Sequence, residues 1–441
     1  MLLGVKEETR VTLEHLRFLI ESFSGVSAWE ISRIRKKSYQ RYLIFDHIES
    51  QRLVETEKFI ITLYKEYDYQ GQKVLGESTV ALSEGDNARE RLALGLEMAG
   101  LVANPVFYLP EKGLNYEQVQ TVDPEIRERP LVYLDRIQDD FIKIPLEKVK
   151  RSSAEIFIED KELSLLNSNG LEKEDSETDI FVDFVLLAEK GSRLEGESQG
   201  MKQARFYKDL QLPEMVQEYA RYARESLEAR IPRAGSYPVI FSGEALDNLF
   251  NFFCLQASGQ AYFQKWSHLA IGQPVISDLS GEPLSLSSNP GLPGGIKSRS
   301  FDNNGLPLQR VEVIKENIFK RRMNNKRYAD YLQEEATGNF SNVEVGSGSR
   351  SSKDFLAEDP CYYLLRFSAF EPNPITGAFS GEIRTGYFLK GGQKIPVKGG
   401  SVSGTIQEAF KKAFFSKERI RREAYLGPEA VRIEKLDIAG N

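Results

Sequence analysis

The stretch YPVIFSGEALDNLFNFF, residues 237–253, decides how the second half of this chain is read. Val239, Ile240 and Phe241 form a short apolar run that reads as a buried strand, with Pro238 at its start, where a missing N–H is tolerated. Ser242 and Gly243 make a small-residue corner, with Ser242 placed to cap a helix and Glu244 to complement its dipole. Strand-to-helix corners of this kind are places where α/β proteins put chemistry. Yet Ala245, Leu246, Leu249, Phe250, Phe252, Phe253, Cys254 and Leu255 spread around most of the helix, so it is expected to be largely buried. Asn251 and Gln256 are the only amides on its second half.

Upstream of this corner the period of the hydrophobic pattern alternates between helix and strand. Val11, Leu13, Leu16, Leu19 and Ile20 recur at helical spacing and Gly25 stops the helix. From Ala28 to Tyr67 apolar and polar residues alternate, which predicts an antiparallel meander turning at YQGQKV. Residues 87–103 return to helical spacing with Asn87 as the cap. Strands follow in SAEIFIEDKELSLLNSNG and the stretch after it, with Asn167-Ser168-Asn169-Gly170 as the turn between them. Residues 213–232 read as a helix with proline at each end, acting as a hinge.

Downstream, LSLSSNPGLPGGIKSRSFDNNGLP and ATGNFSNVEVGSGSRSSKDFLAEDP have no periodic pattern and read as long loops. Strands return from Cys361, and TIQEAFKKAFFSKERIRRE is expected to be a closing helix. The fold class is therefore α+β. An N-terminal α/β region with antiparallel sheets and flanking helices, residues 1–229, precedes a mostly β C-terminal domain with a few packed helices, residues 230–441.

At 441 residues the chain is long enough for two or three domains. Its 41 % hydrophobic and 28 % charged residues describe a globular protein. A formal net charge of -7 repels phosphate, which argues against direct nucleic-acid binding. Two cysteines far apart in apolar stretches fit a reducing compartment, so the expected location is the cytoplasm. The start of the chain lacks a signal-peptide pattern, and no apolar run approaches the roughly 20 residues needed to cross a membrane.

Metal chemistry finds little support in the local pattern. Zinc enzymes commonly place two histidines one helical turn apart with a glutamate between. Here three histidines, His15, His47 and His268, are scattered. His47 and Glu49 share a strand face, read as an exposed pair. The glycines at 346–349 and 391–392 do not lie between a strand and a helix, which leaves them as loop and hairpin glycines. The basic segments 319–332 and 410–423 read as solvated helix faces.

One resemblance is specific. The ordered blocks AGSYPVIFSGEALDNLF, SGQAYF, SRSFDNNGLPLQRVEVIKENIFKRRMNNKRYADYL, ATGNF and NPITGAFSGEIRTGYFLKGGQKIPVKGGSVSGTIQEAF resemble the C-terminal half of the TldD/PmbA family, also called modulators of DNA gyrase. SLLNSNG resembles the family's Asn-Ser-x-Gly turn. In the TldD branch the helix after the corner carries His-Glu-x-x-x-His, which with a later cysteine holds the metal of a peptidase. Asn251, Phe252 and Gln256 fall at the first histidine, the glutamate and the second histidine, and the cysteine role does not carry over to Cys361.

The resemblance therefore implies the TldE/PmbA branch: no catalytic residues, no metal of its own, zinc only in a TldD-type partner, and no chemistry when alone. The implied assembly is a heterodimer with a TldD-like protease subunit that acts on short or unfolded peptides, with gyrase and peptide-maturation effects downstream of proteolysis. Phe250, Phe253, Thr376, Gly377 and Phe379 are the residues expected to line a peptide groove. Two rival readings are a self-associating peptide- or ligand-binding homodimer on a degenerate protease fold, and an active hydrolase with an unrecognised site.

Overall fold

The computed structural model describes residues 11–441. Helix α1 (Leu13–Ser22) is capped by Thr12 and buries Leu16, Leu19 and Ile20. It leads into three long strands, β1 (Ala28–Ile44), β2 (His47–Tyr69) and β3 (Gln72–Leu82), and then α2 (Ala88–Ala99), capped by Asn87 as expected. The β2–β3 connection is a two-residue turn, Gln70-Gly71, with both φ angles positive, matching the right-handed twist of a hairpin. After an extended stretch come α3 (Pro124–Glu128), α4 (Pro130–Ile142), β4 (Val149–Asn167), β5 (Glu172–Lys190) and β6 (Arg193–Ala204), then α5 (Leu212–Ser226).

The six strands form one antiparallel sheet in the order β3-β2-β1-β4-β5-β6. Because side chains alternate along a strand, the sheet has two distinct faces. Ile31, Ile61, Leu63, Ile156, Ile158, Val182 and Phe184 point to the helix side, where α1 and α2 cover one end and α3 to α5 the other. The opposite face carries Glu30, Tyr64, Lys161 and Asp179 and meets the second half of the chain. There Tyr64 donates to Glu30 Oε2 at 2.6 Å and Asn304 donates to Glu30 Oε1 at 3.2 Å.

The second half begins with β7 (Gly235–Ser242), α6 (Glu244–Gln256) and α7 (Gly259–Phe263). Next come β8 (Leu286–Asn289), β9 (Val311–Lys315), β10 (Ile318–Phe319), α8 (Lys326–Leu332), β11 (Asn342–Val345) and α9 (Ser352–Ala357). The chain continues through β12 (Cys361–Phe370), β13 (Ala378–Lys390), β14 (Gln393–Val397), β15 (Ser401–Thr405), α10 (Ile406–Lys411), β16 (Ala413–Phe415), β17 (Arg419–Arg422), β18 (Tyr425–Pro428) and β19 (Ala430–Ala439).

One sheet runs β10-β9-β8-β11-β18-β17; the other runs β12-β7-β19-β15-β13-β14 and closes on itself because β12 also pairs with β13. Helix α6 packs into the largest core, among side chains of the closed ring and of β8, β9 and β18. Helix α5 is wedged between the halves: Val216, Ala220 and Ala223 face the N-terminal core, while Tyr219 and Tyr222 meet Ile240, Leu365 and Tyr387 of the ring. It is a brace packed on two sides, which is not the free hinge that its flanking prolines suggested.

Three further sequence expectations are corrected. The two supposed loops each contribute a central strand, β8 and β11, to the second sheet. Beside Leu286 and Val345 they bury polar side chains: Ser288 and Ser341 hydroxyls lie 3.1 Å apart, and Asn342 donates to Ser298 Oγ and Asn289 O, both at 2.8 Å. Each strand is only four residues long and carries buried serine or asparagine among its apolar residues, which leaves too short a hydropathy pattern to mark it. The closing helix stops at Lys411, and Ala413 and Phe415 bury as a strand against β19. In the basic segment 319–332, Arg322 is only 3 % exposed, its guanidinium 3.7 Å above the Tyr262 ring and its Nε 3.2 Å from Glu334 Oε2.

Candidate functional site

The corner that opens this half is built differently from its sequence reading. Gly243, at φ +68, takes the cap position of α6, and Ser242 turns away to donate to Glu429 O at 2.8 Å. A side chain at 243 would approach Leu365 O at 3.1 Å, so the glycine serves both the positive φ and the close packing. Glu244 and Asp247 occupy the first turn, as the helix dipole favours.

The second half of α6 separates the three motif positions. Asn251 is exposed, Phe252 is buried with its ring edge-on to Phe253 at 5.5 Å, and Gln256 is 8 % exposed. The Gln256 amide donates through Nε2 to two main-chain oxygens, Trp266 O at 3.1 Å and Pro374 O at 2.5 Å. These bonds join the end of α6 to the 373–377 turn. In that turn Gly377 has φ +68 and no room for a Cβ, which would meet Gln407 Oε1 at 2.4 Å and the Phe252 ring tip at 3.2 Å. The fold thus brings residues 252, 256 and 374–377 together across more than a hundred positions of sequence.

A divalent cation finds no fitting donor set there. Phe252 has no donor atom, the Gln256 nitrogen is committed to carbonyls, and carboxamides are weak ligands for zinc compared with imidazole, thiolate or carboxylate. Among the described residues no group of three or more His, Cys, Asp or Glu side chains is placed to hold a metal ion. Cys254 and Cys361 are free and buried; burial pushes the Cys254 thiol up to about 12, far from a ligating thiolate at neutral pH.

The residues expected to line a peptide groove are placed unequally. Phe250 stacks on Tyr425 at 5.7 Å, Phe253 meets Phe410 edge-on at 4.8 Å and Phe379 meets Phe370 at 5.4 Å. All three rings are core, as is Gly377, because the ring-shaped sheet and the second sheet close over α6. Thr376 alone stands in solvent, its hydroxyl accepting from Ala378 N.

At the other end of α6 lies a charged cluster that sequence reading missed. Asp247 accepts from Arg422 Nη2 at 3.0 Å, Arg366 approaches Glu244 at 3.4 Å, and Gln203 N of β6 donates to Glu423. Asp247 and Arg422 are 175 positions apart, and no spacing rule connects them. Burial raises the Asp247 carboxyl from 3.8 to about 6 against the opposing pull of Arg422. Between those values the folded protein holds a proton that the unfolded chain has released, so this group lowers stability as pH rises through the window. Asp247→Asn removes that slope: relative to wild type, the variant should gain denaturant resistance between pH 4 and pH 7. The loss of the Arg422 contact adds an offset that does not vary with pH in this range. Equal differences in urea midpoint at both pH values would contradict the assignment.

Residues 234–440 match the family model of the PmbA/TldA metallopeptidase C-terminal domain. Metalloprotease PmbA of Escherichia coli O157:H7 is 24 % identical over 242 residues, 53 % of this chain and 52 % of that protein. Residues 234–440 are thus similar to the C-terminal domain of the TldD/PmbA family. An uncharacterised protein of Methanocaldococcus jannaschii is 23 % identical over 341 residues, 75 % of this chain and 78 % of that protein. The alignment spans about half the length of the PmbA relatives.

The fold of solved TldE and gyrase-modulator structures covers 97 % of the chain. TldE from Thermococcus kodakarensis superposes with a TM-score of 0.79 at 19 % identity, covering 97 % of this chain and 99 % of that one. A candidate modulator of a DNA gyrase from Thermotoga maritima gives 0.80 at 19 % identity, covering 97 % and 100 %. The metallopeptidase-like fold is therefore present, and helix α6 within it carries no histidine. No helix among the described residues is long and apolar enough to cross a membrane.

Proposed function

We propose that this chain is a non-catalytic, TldE-like subunit of a TldD/TldE-type metalloprotease complex that acts on short or unfolded peptides. The observation that carries the reading is the Gln256 amide bonded to Trp266 O and Pro374 O. It occupies the place of a metal-ligating histidine with a group whose hydrogen bonds hold structure. Phe252 stands in the same way where a general base would be needed, and a phenyl ring accepts no proton. The chain keeps the scaffold of a peptidase and uses the position of the chemistry for packing. In a complex it would order the catalytic subunit and wall its chamber.

The test is reconstitution. Purified alone and dialysed, the protein should carry no stoichiometric zinc and cleave no unfolded casein. Mixed with a relative bearing His-Glu-x-x-x-His, it should give cleavage that a chelator abolishes and that exceeds the activity of the relative alone. Chelator-sensitive cleavage by this chain in isolation would overturn the proposal.

A further inference from the structure

A cavity of about 250 Å³ opens where the two halves of the chain meet, and none of Asn251, Phe252 and Gln256 lines it. Phe107, Leu109 and Pro110, from the extended stretch between α2 and α3, make one wall. That wall is fixed at three points. Asn169 Nδ2 donates to Leu109 O and Asn167 Nδ2 to Pro110 O, both at 2.8 Å, while Tyr108 N donates to Asp330 Oδ2 at 2.9 Å. The 167–170 turn and α8 therefore hold the cavity in shape by themselves, and a pre-formed site spares a ligand much of the cost of ordering.

The facing wall is polar. Gln260 comes from α7, and Asn325, Lys326 and Arg327 come from the segment entering α8. In a chain of net charge -7, this lining holds two cations and no carboxylate. Acids outside the lining keep both cations in position: Lys326 Nζ donates to Asp330 Oδ1 at 2.5 Å, and Arg327 Nη2 donates to Glu77. Donor capacity is left over. Asn325 spends its Oδ1 on Tyr328 N at 3.1 Å, and among the described residues its Nδ2, Arg327 Nη1 and the Gln260 amide have no hydrogen-bond partner. The Arg327 guanidinium lies 4.7 Å from the centre of the Phe107 ring, which brings the charged wall against the apolar one.

We propose that this cavity binds a small organic carboxylate, held by Arg327, Asn325 and Gln260 with its carbon skeleton against Phe107 and Leu109. Planar guanidinium and amide N–H groups match the plane of a carboxylate, and charge-assisted bonds of this kind are about twice as strong as neutral ones. The volume falls below the range of about 300–1,000 Å³ typical of drug-sized ligands, so the site takes a small metabolite. A neighbouring cavity of about 700 Å³ shares Leu109, Pro110 and Lys326 but is lined by Glu111, Asp330, Glu334 and Glu335, which repel an anion and confine it to the smaller space. The inference concerns this chain alone and does not rest on the reading of it as a protease subunit.

Calorimetric titration of the dialysed full-length protein with succinate, propionate and inorganic phosphate tests it, with succinamide as the uncharged control. At least one of the two carboxylates should bind saturably at millimolar concentration or below and raise the melting temperature, and succinamide should do neither. Asn325→Asp and Gln260→Glu keep the shape of each side chain, and aspartate still caps α8. Each puts a negative charge into the lining, so each should weaken carboxylate binding by about tenfold or more while leaving the melting curve of the free protein unchanged. Saturable binding by neither carboxylate, equal binding of succinate and succinamide, or full binding by both variants would overturn the proposal. So would phosphate binding without carboxylate binding, which would assign the cavity to a phosphate-bearing ligand.

Discussion

Phe250→Ala should destabilise the protein by about 3–5 kcal/mol, the cost of deleting a fully buried ring from a core that cannot collapse onto the gap. The ring has no solvent exposure, stacks on Tyr425 and lies edge-on to Phe410 at 6.1 Å, with Phe415 at 6.2 Å. Those partners come from three different elements, α10, β16 and β18, so no single local shift refills the space. The adjacent Asn251→Ala is the control. Its side chain faces solvent, and its effect should stay within about 0.5 kcal/mol. Urea unfolding of the two variants reads both, and a loss below about 1 kcal/mol for Phe250→Ala would contradict the packing of α6 in the core.

A loss of similar size is expected for Arg205→Ala. Arg205 follows β6 and is 1 % exposed. Its guanidinium donates to Glu177 Oε2 at 2.8 Å, lies 3.6 Å from Asp179, and reaches Ile296 O at 2.6 Å in the second half of the chain. Removing one partner of a buried ion pair typically costs about 3–5 kcal/mol because the other charge is left behind. Here the orphan is Asp179, a carboxyl already pushed up by burial, which would keep Lys161 Nζ at 2.7 Å as its remaining close cation. Arg205→Met preserves most of the volume. If charge and hydrogen bonding dominate, Met should be nearly as damaging as Ala in thermal melts; a Met variant as stable as wild type would show that packing alone matters.

The same contrast between local and distant causes explains what could be read in advance. The β1–β3 meander was legible because one of its faces meets an apolar helix layer and the other meets polar groups, so burial imprints a period of two on the chain. Helix α2 was legible from its cap, and the 167–170 turn from its asparagines, whose side chain Asn167 Oδ1 accepts from Asn169 N and Leu171 N. Strands β8 and β11 were not, because each is four residues long and mixes buried Leu286 or Val345 with buried serine and asparagine that satisfy each other, too little for a periodic hydrophobic signature. The segment after Lys411 carried helix-forming residues, but pairing with β19 outweighed local propensity.

At the candidate site, the residue types at 251, 252 and 256 were fixed by the sequence alone, and with them the poverty of metal-ligand chemistry on α6. Their circumstances were not. That Asn251 faces solvent, that Phe252 and Phe250 are core, and that Gln256 is tied to Trp266 and Pro374 depend on how a ring of strands and a second sheet close around one helix. Composition and periodicity record what each residue prefers over a few neighbours. Which surfaces meet across a hundred residues or more is settled by burial of the whole, and so the Asp247–Arg422 pair, the Arg205 anchor and the cavity between Phe107 and Arg327 emerge only from the tertiary structure.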